Sequence, residues 1–215
     1  MVARVATLTA ALTALAQAVP QVSDVKISGN VVTVNPKQQY QYWDGTGVSE
    51  AFQRGRTVRL LDTKSSNLAL DLLFSNQTGA GVTIVRNGIG SSSEEGWDHM
   101  ESIEPVAPRS NSSTPHYVSL DSLRGDQAQI WFTQQAIARG VKMVYADAWS
   151  ADPYMKTNNN TNYGGYICGV TNATCATGDW RQAYANKLVK YIEDYQNNHG
   201  ITIDYVGFLN EPDQT

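Results

Sequence analysis

The sequence predicts an α/β chain in which four parallel strands alternate with helices behind a short β-hairpin, and three observations carry that expectation. From about residue 41 onward, short β-branched runs alternate with segments whose apolar residues recur at helical spacing, the pattern of parallel strands joined by helical crossovers. The connections that follow strands are long and polar, whereas those that follow helices are short. In folds of this kind the elaborated loops gather at the C-terminal ends of the strands, where sites are built. The last apolar run, residues 203–209, is followed at once by Asn210, Glu211 and Pro212, which puts a carboxylate at a strand tip. A doubly wound nucleotide-binding sheet fits less well, because Gly45-Thr46-Gly47 lacks the third glycine and the helix cap of a phosphate-binding turn. The expected fold is therefore a partial (β/α)8 TIM barrel, about the first four βα units, over residues 41–215. Residues 19–40 supply an N-terminal piece of a side β-structure. The 215 residues fall short of the roughly 250 of a complete barrel.

Residues 25–27 and 31–34 are two apolar runs around Ser28-Gly29-Asn30, a hairpin signal. Gln41, Tyr42 and Trp43 lead into a strand at residues 44–49, where Gly45 and Gly47 keep the backbone slim against a packed interior or a ligand. Asp62 is placed to cap a helix that turns Leu68, Leu72 and Leu73 inward. A second strand over residues 82–86 is broken by Asn87-Gly88-Ile89-Gly90. The polar stretch 91–122 follows, with Pro105, Pro108 and Pro115; connections of that length are uncommon unless they serve a site. A helix over 126–139, with Ile130 and Ile137 inward and Gly140 as its stop, precedes a third strand at 141–146. A second long loop, 147–178, is rich in Asn, Tyr and Gly. Asp179 then caps a third helix with Gln182 in capping-box position. Tyr184, Leu188, Tyr191, Ile192 and Tyr195 make its inner stripe, and Gly200 ends it before the terminal strand.

Composition narrows the class. A hydrophobic content of 41% with 17% charged residues describes an ordinary globular chain. The net charge of −4 argues against nucleic acid or an anionic membrane surface as partner. The first residues read as a secretory signal: Arg4 is the only charge of a short n-region, and residues 5–15 are small and apolar but too few to span a bilayer. Ala16-Gln17-Ala18 then offers a cleavage site after Ala18, so residues 1–18 are the expected signal peptide. A secreted, extracellular protein agrees with Cys168 and Cys175, close enough in sequence to bridge. It agrees also with four glycosylation sequons, at Asn76, Asn111, Asn159 and Asn172. His99, His116 and His199 are isolated, so no zinc site is expected, and no motif implies a cofactor.

Glu211 leads the residues that could carry chemistry. A carboxylic acid at a strand tip protonates a departing glycosidic oxygen when its pKa is raised and a second carboxylate stands opposite. The other role open to it is to complement a helix N-terminus. Asn210 beside it suits a sugar hydroxyl. Trp149, at the end of the third strand, is either a platform for the apolar face of a sugar ring or ordinary core. Tyr154 in the same loop is a further candidate for substrate contact. Arg86 ends the second strand; if buried it needs a carboxylate partner, with the site carboxylate the obvious one. Arg54, in the loop after the first strand, is placed either to grip an acidic sugar substituent through its planar fork or to stay in solvent.

These residues fall in motifs that resemble fungal members of glycoside hydrolase family 30. The stretches are Val48-Ser49-Glu50-Ala51-Phe52-Gln53-Arg54, Trp149-Ser150-Ala151-Asp152-Pro153-Tyr154-Met155-Lys156, Gly164-Gly165-Tyr166-Ile167-Cys168-Gly169, Asp179-Trp180-Arg181-Gln182-Ala183-Tyr184-Ala185 and Gly207-Phe208-Leu209-Asn210-Glu211-Pro212-Asp213. The glucuronoxylanase and endo-xylanase branch is the nearest likeness, and endo-β-1,6-galactanases share much of the layout. The resemblance implies a β/α barrel with a side β-structure, retaining hydrolysis, and Glu211 as acid/base after the fourth barrel strand. It implies a nucleophilic glutamate after the seventh strand, which this chain does not reach, and it makes Arg54 a candidate for holding a glucuronosyl branch.

The expectation that follows is a secreted β-glycosidase of plant cell-wall polysaccharide, most simply glucuronoxylan, represented by the amino half of its catalytic domain and inactive by itself. Two alternatives stay open: a β-1,6-galactanase or glucosylceramidase-like specificity, and a secreted carbohydrate-binding protein without catalysis. Four strands of a barrel leave two sheet edges open, so the isolated chain is expected to be marginal in stability or to associate through them.

Overall fold

The computed structural model describes residues 25–27, 30–32, 35, 37–93 and 100–212. The chain divides into two compact units, Met1–Trp43 and Asp44–Thr215. In the first, strands β1 (Val25–Ile27) and β2 (Asn30–Val32) pair antiparallel with Val25 opposite Val32, which is the expected hairpin one residue early on its second arm. Ala18, Thr33 and Val34 lie outside the described residues.

The second unit is a four-stranded parallel sheet in sequential order: β3 (Gly47–Ser49), β4 (Ile84–Ile89), β5 (Met143–Ala148) and β6 (Tyr205–Gly207). Val48 pairs with Val85, Val85 with Val144, and Ala146 with Val206. Helices α1 (Arg54–Arg59) and α2 (Thr63–Phe74) join β3 to β4, α3 (Arg124–Ile137) joins β4 to β5, and α4 (Arg181–His199) joins β5 to β6. This is the partial TIM barrel that the alternation predicts. β4 and β5 begin two residues later than expected. Val82 and Val141 are buried with Leu70, Phe74 and Phe132 below the sheet, and the ladder starts only after them. β6 is short, with Asn210 N–H still donating to Ala148 O at 2.8 Å beyond its end.

Helix faces differ from the sequence expectation in two places. α2 does start at an Asp62 cap, whose carboxylate accepts from the amides of Lys64 and Ser65, but its buried residues are Ser66, Leu70 and Phe74. Leu68 and Leu72 are exposed and Leu73 is half-buried. Likewise Ile130 is buried on α3, whereas Ile137 at its last turn faces solvent. α4 keeps the expected stripe of Tyr184, Leu188, Tyr191 and Tyr195, with Ile192 half-buried. It stops at Gly200, whose left-handed backbone (φ 66°) lets its N–H donate to Tyr195 O. Its N-cap position is Trp180 rather than Asp179, and Gln182 bonds Asn186 instead of closing a capping box. Cys168 and Cys175 form a disulfide, with Cys168 buried against Met155 and Trp180 in the core between the sheet and α4.

Candidate active site

At the C-terminal ends of the strands the long loops enclose a cleft of about 760 Å³. Its wall is aromatic and small: Phe52 after β3, Ser91 and Ser92 after β4, Trp149, Ser150 and Ala151 after β5, then Tyr163, Tyr166, Phe208 and Leu209. Asn210 and Glu211 stand on its rim, and Glu211 is the one carboxylate lining it among the described residues. An apolar concavity with a few converging polar groups is the usual form of a small-molecule or oligosaccharide site.

The rim is assembled around Arg86. Its guanidinium pairs with the Asp147 carboxylate at the end of β5, and the same nitrogen donates to Asn210 Oδ1 at 2.5 Å. Asp147 is buried, so its charge requires this partner. Asn210 is thus fixed twice, by its side chain through Arg86 and by its backbone through Ala148. Glu211 follows it with a left-handed backbone (φ 47°) and an exposed side chain. β6 comes this close to β5 because residue 207 has no side chain: a Cβ on Gly207 would overlap Asp147 Oδ1 and the Tyr145 hydroxyl. Tyr184 of α4 donates to Phe208 O at 2.6 Å and holds the chain from below; burial pushes its phenol pKa up.

Trp149 lines the cleft, with the Arg86 guanidinium 4.3 Å from its ring centroid and the Phe52 ring edge-on at 5.0 Å. One face of the indole is therefore engaged by a cation. Phe52 reaches the cleft from two successive left-handed residues, Phe52 (φ 58°) and Gln53 (φ 60°). Lys156 is the one cation lining the cleft among the described residues. It donates to Ser150 Oγ at 2.8 Å and to Thr161 O at 3.4 Å, and burial pulls its pKa down.

The candidates from sequence separate into three groups. Glu211, Asn210 and Trp149 line the cleft, and Arg86 sits behind it with Asp147 rather than Glu211 as its carboxylate. Arg54 is exposed at the first turn of α1 and is not part of the wall. Tyr154 packs edge-on against Trp180 at 5.2 Å and donates to Glu104 O, so it belongs to the core. The sequon residues Asn76, Asn111, Asn159 and Asn172 are all exposed. Phe52 and Lys156 went unrecognised from sequence, because a positive-φ pair and a lysine in a polar loop carry no local signal of a cleft. Among the described residues no cluster of three or more His, Cys, Asp or Glu is arranged to hold a metal ion.

Comparison with known proteins agrees with the motifs. A family model described as O-glycosyl hydrolase family 30 matches residues 29–215. The catalytic domain of GH30 xylanase C from Talaromyces cellulolyticus is 50% identical, with a TM-score of 0.73 over 84% of this chain and 39% of that one. SrfJ from Salmonella typhimurium is 26% identical, with a TM-score of 0.58 over 82% of this chain and 36% of its own. A glycoside hydrolase family 30 subfamily 8 xylanase, Xyn30A from Clostridium acetobutylicum, shares the fold at 23% identity and a TM-score of 0.51, over 84% of this chain and 35% of its own. The chain thus spans less than two fifths of each of these structures.

Proposed function

The chain belongs to glycoside hydrolase family 30, and from that membership we propose that it carries the acid/base half of a secreted, retaining β-glycosidase of plant cell-wall polysaccharide, an endo-β-1,4-xylanase acting on glucuronoxylan. The observation that carries the reading is Glu211: a strand-tip carboxyl, next to a doubly anchored Asn210, and alone among described carboxylates on an aromatic cleft. Half-identity to a xylanase catalytic domain supports the substrate, and the apolar first residues with the Cys168–Cys175 bridge support secretion.

In the mechanism, Glu211 donates its proton to the leaving glycosidic oxygen while a second carboxylate attacks the anomeric carbon. The C–O bond to the leaving sugar breaks as the glycosyl–enzyme ester forms. Glu211, now ionised, then takes a proton from the water that cleaves the ester. The two carboxyl groups stand about 5–5.5 Å apart in such enzymes. The same reading expects no turnover from the 215-residue chain by itself, in keeping with Glu211 being the one carboxylate that lines the cleft among the described residues.

The test compares this chain with a form extended to the length of the xylanase catalytic domain, on glucuronoxylan, unsubstituted xylan and β-1,6-galactan. The extended form turns over glucuronoxylan, and Glu211→Gln lowers its kcat by roughly 10³-fold or more; the short chain shows none. Turnover by the short chain overturns its expected inactivity, and wild-type rates in the Gln variant remove Glu211 from the role. Preference for the galactan removes the substrate assignment.

A further inference from the structure

Lys187 lies on the inward face of α4 with its side chain completely buried. Its ammonium pairs with Asp152, itself 1% exposed, and donates to Gly90 O at 2.8 Å. These two acceptors belong to different loops. Gly90 directly precedes Ser91 and Ser92, and Asp152 directly follows Ser150 and Ala151; all four neighbours line the cleft. One cation on a helix thus ties the loop after β4 to the loop after β5 at the point where both become wall. Asp152 also starts the 3-10 turn Pro153–Met155, its backbone oxygen accepting from Met155 N–H at 2.9 Å.

A buried ion pair is weak as a source of stability, because desolvating two charges offsets much of their attraction. What it imposes is geometry, since a misplaced partner leaves an uncompensated charge. The surroundings raise the stakes further. Glu104 is buried beside the pair with Oε2 lacking a partner, and burial together with the Asp152 charge pushes its pKa up to about 7.

We propose that Lys187 is a positioning residue for the cleft: it fixes Ser91–Ser92 against Ser150–Ala151 and so sets the wall along which a polysaccharide lies. The role rests on the reading of the cleft as a polysaccharide site. The experiment separates the two ideas, using the 215-residue chain with Lys187→Met and with Lys187→Met/Asp152→Asn, which removes both charges of the pair together. Amide hydrogen exchange is read at Ser91 and Ser92, which both donate to Met100 O, and at Met155; Ile201, which donates to Tyr195 O, is the control. Xylohexaose binding is read alongside by tryptophan fluorescence, with the same substitutions in the form extended to the length of the xylanase catalytic domain. In the double variant the three loop amides exchange at least tenfold faster while Ile201 is unchanged, and the Kd for xylohexaose rises at least tenfold. Uniform acceleration that includes Ile201, or no change at the loop amides, overturns the role. An extended wild-type form that ignores xylohexaose overturns the polysaccharide reading, while the exchange pattern still decides whether Lys187 holds the loops.

Discussion

Helices α2 and α4 each lead from one strand of the sheet to the next, yet they bury opposite chemistry. α2 turns Ser66, Leu70 and Phe74 inward, and Phe74 meets Phe132 of α3 edge-on at 5.5 Å. α4 buries Lys187 and Asp194 along with Tyr184, Leu188, Tyr191 and Tyr195, and leaves Val189 in solvent. Four inward polar groups of α4 find polar partners outside the helix. Lys187 has Asp152 and Gly90 O, Tyr184 has Phe208 O, and the hydroxyls of Tyr191 and Tyr195 accept from Gln129 Nε2 at 2.9 and 3.1 Å. The difference follows from what each helix meets. α2 packs Leu70 and Phe74 on an apolar cluster of strand starts and α3, where matching volume dominates. α4 reaches the loops at the strand ends, where backbone oxygens and carboxylates need donors.

The largest effects expected from this contrast are on the α2 side. Phe74→Ala removes a ring with 1% exposure and costs about 3–5 kcal/mol in denaturant unfolding. Leu72→Ala, at 54% exposure on the same helix, changes stability by no more than about 0.5 kcal/mol. Equal costs would mean that the outer leucines of α2 are covered in solution, and the contrast with α4 would fail.

On the α4 side the expected signature is a dependence on pH. Asp126 of α3 is buried against Tyr195, and burial, with the Glu101 charge, pushes its pKa up to about 8. The unfolded carboxyl ionises near pH 4. Between those values the unfolded chain has released a proton that the folded chain still holds, so stability is full below about pH 4 and falls as pH rises toward 8. One such proton contributes a slope of up to about 1.4 kcal/mol per pH unit. Asp126→Asn, followed by urea unfolding at pH 5, 6 and 7, flattens the slope. An unchanged slope in that variant places its origin elsewhere.

The same contrast sets what could be read from sequence. Signals that act within a few residues were legible: the β-branched strand runs, the Asp62 cap, the Gly200 stop and the tyrosine stripe of α4. The inner face of α2 was not. Leu68 and Leu72 are as well spaced for a helix face as Leu70 and Phe74, so only the position of the neighbouring strands and α3 decides between them. At the site, the carboxylate at a strand tip was legible, but its supports were not. Arg86 is 61 residues from Asp147 and 124 from Asn210, and Lys187 is 35 from Asp152; no local pattern specifies such pairings. Arg54 and Tyr154 show the converse. Both sit in motifs next to cleft residues, but the backbone carries Arg54 into α1 and Tyr154 into the core.

The smallest effect expected distinguishes the two helix starts. Asp62 occupies a true N-cap, with extended backbone and a carboxylate that accepts from two first-turn amides. Hydrogen bonding from the Ser65 side chain first, then from these amides, holds its pKa below the usual carboxylate range. Asp179 lies one residue before the N-cap position of α4, and its carboxylate is shared between the Arg181 amide and the exposed Arg181 guanidinium. α4 is instead anchored at its start by Trp180, which is 1% exposed and bonded through its backbone to Cys168 O. Asp62→Ala therefore lowers the thermal midpoint at pH 7 by about 2–4 °C, and Asp179→Ala by less than half of that. Because the folded pKa of Asp62 is depressed, its share is present above about pH 4 and disappears as pH falls through the folded value, so the two variants converge in acid. A larger loss from Asp179→Ala than from Asp62→Ala would show that α4 depends on its first turn as α2 does, and that packing of Trp180 alone does not hold it.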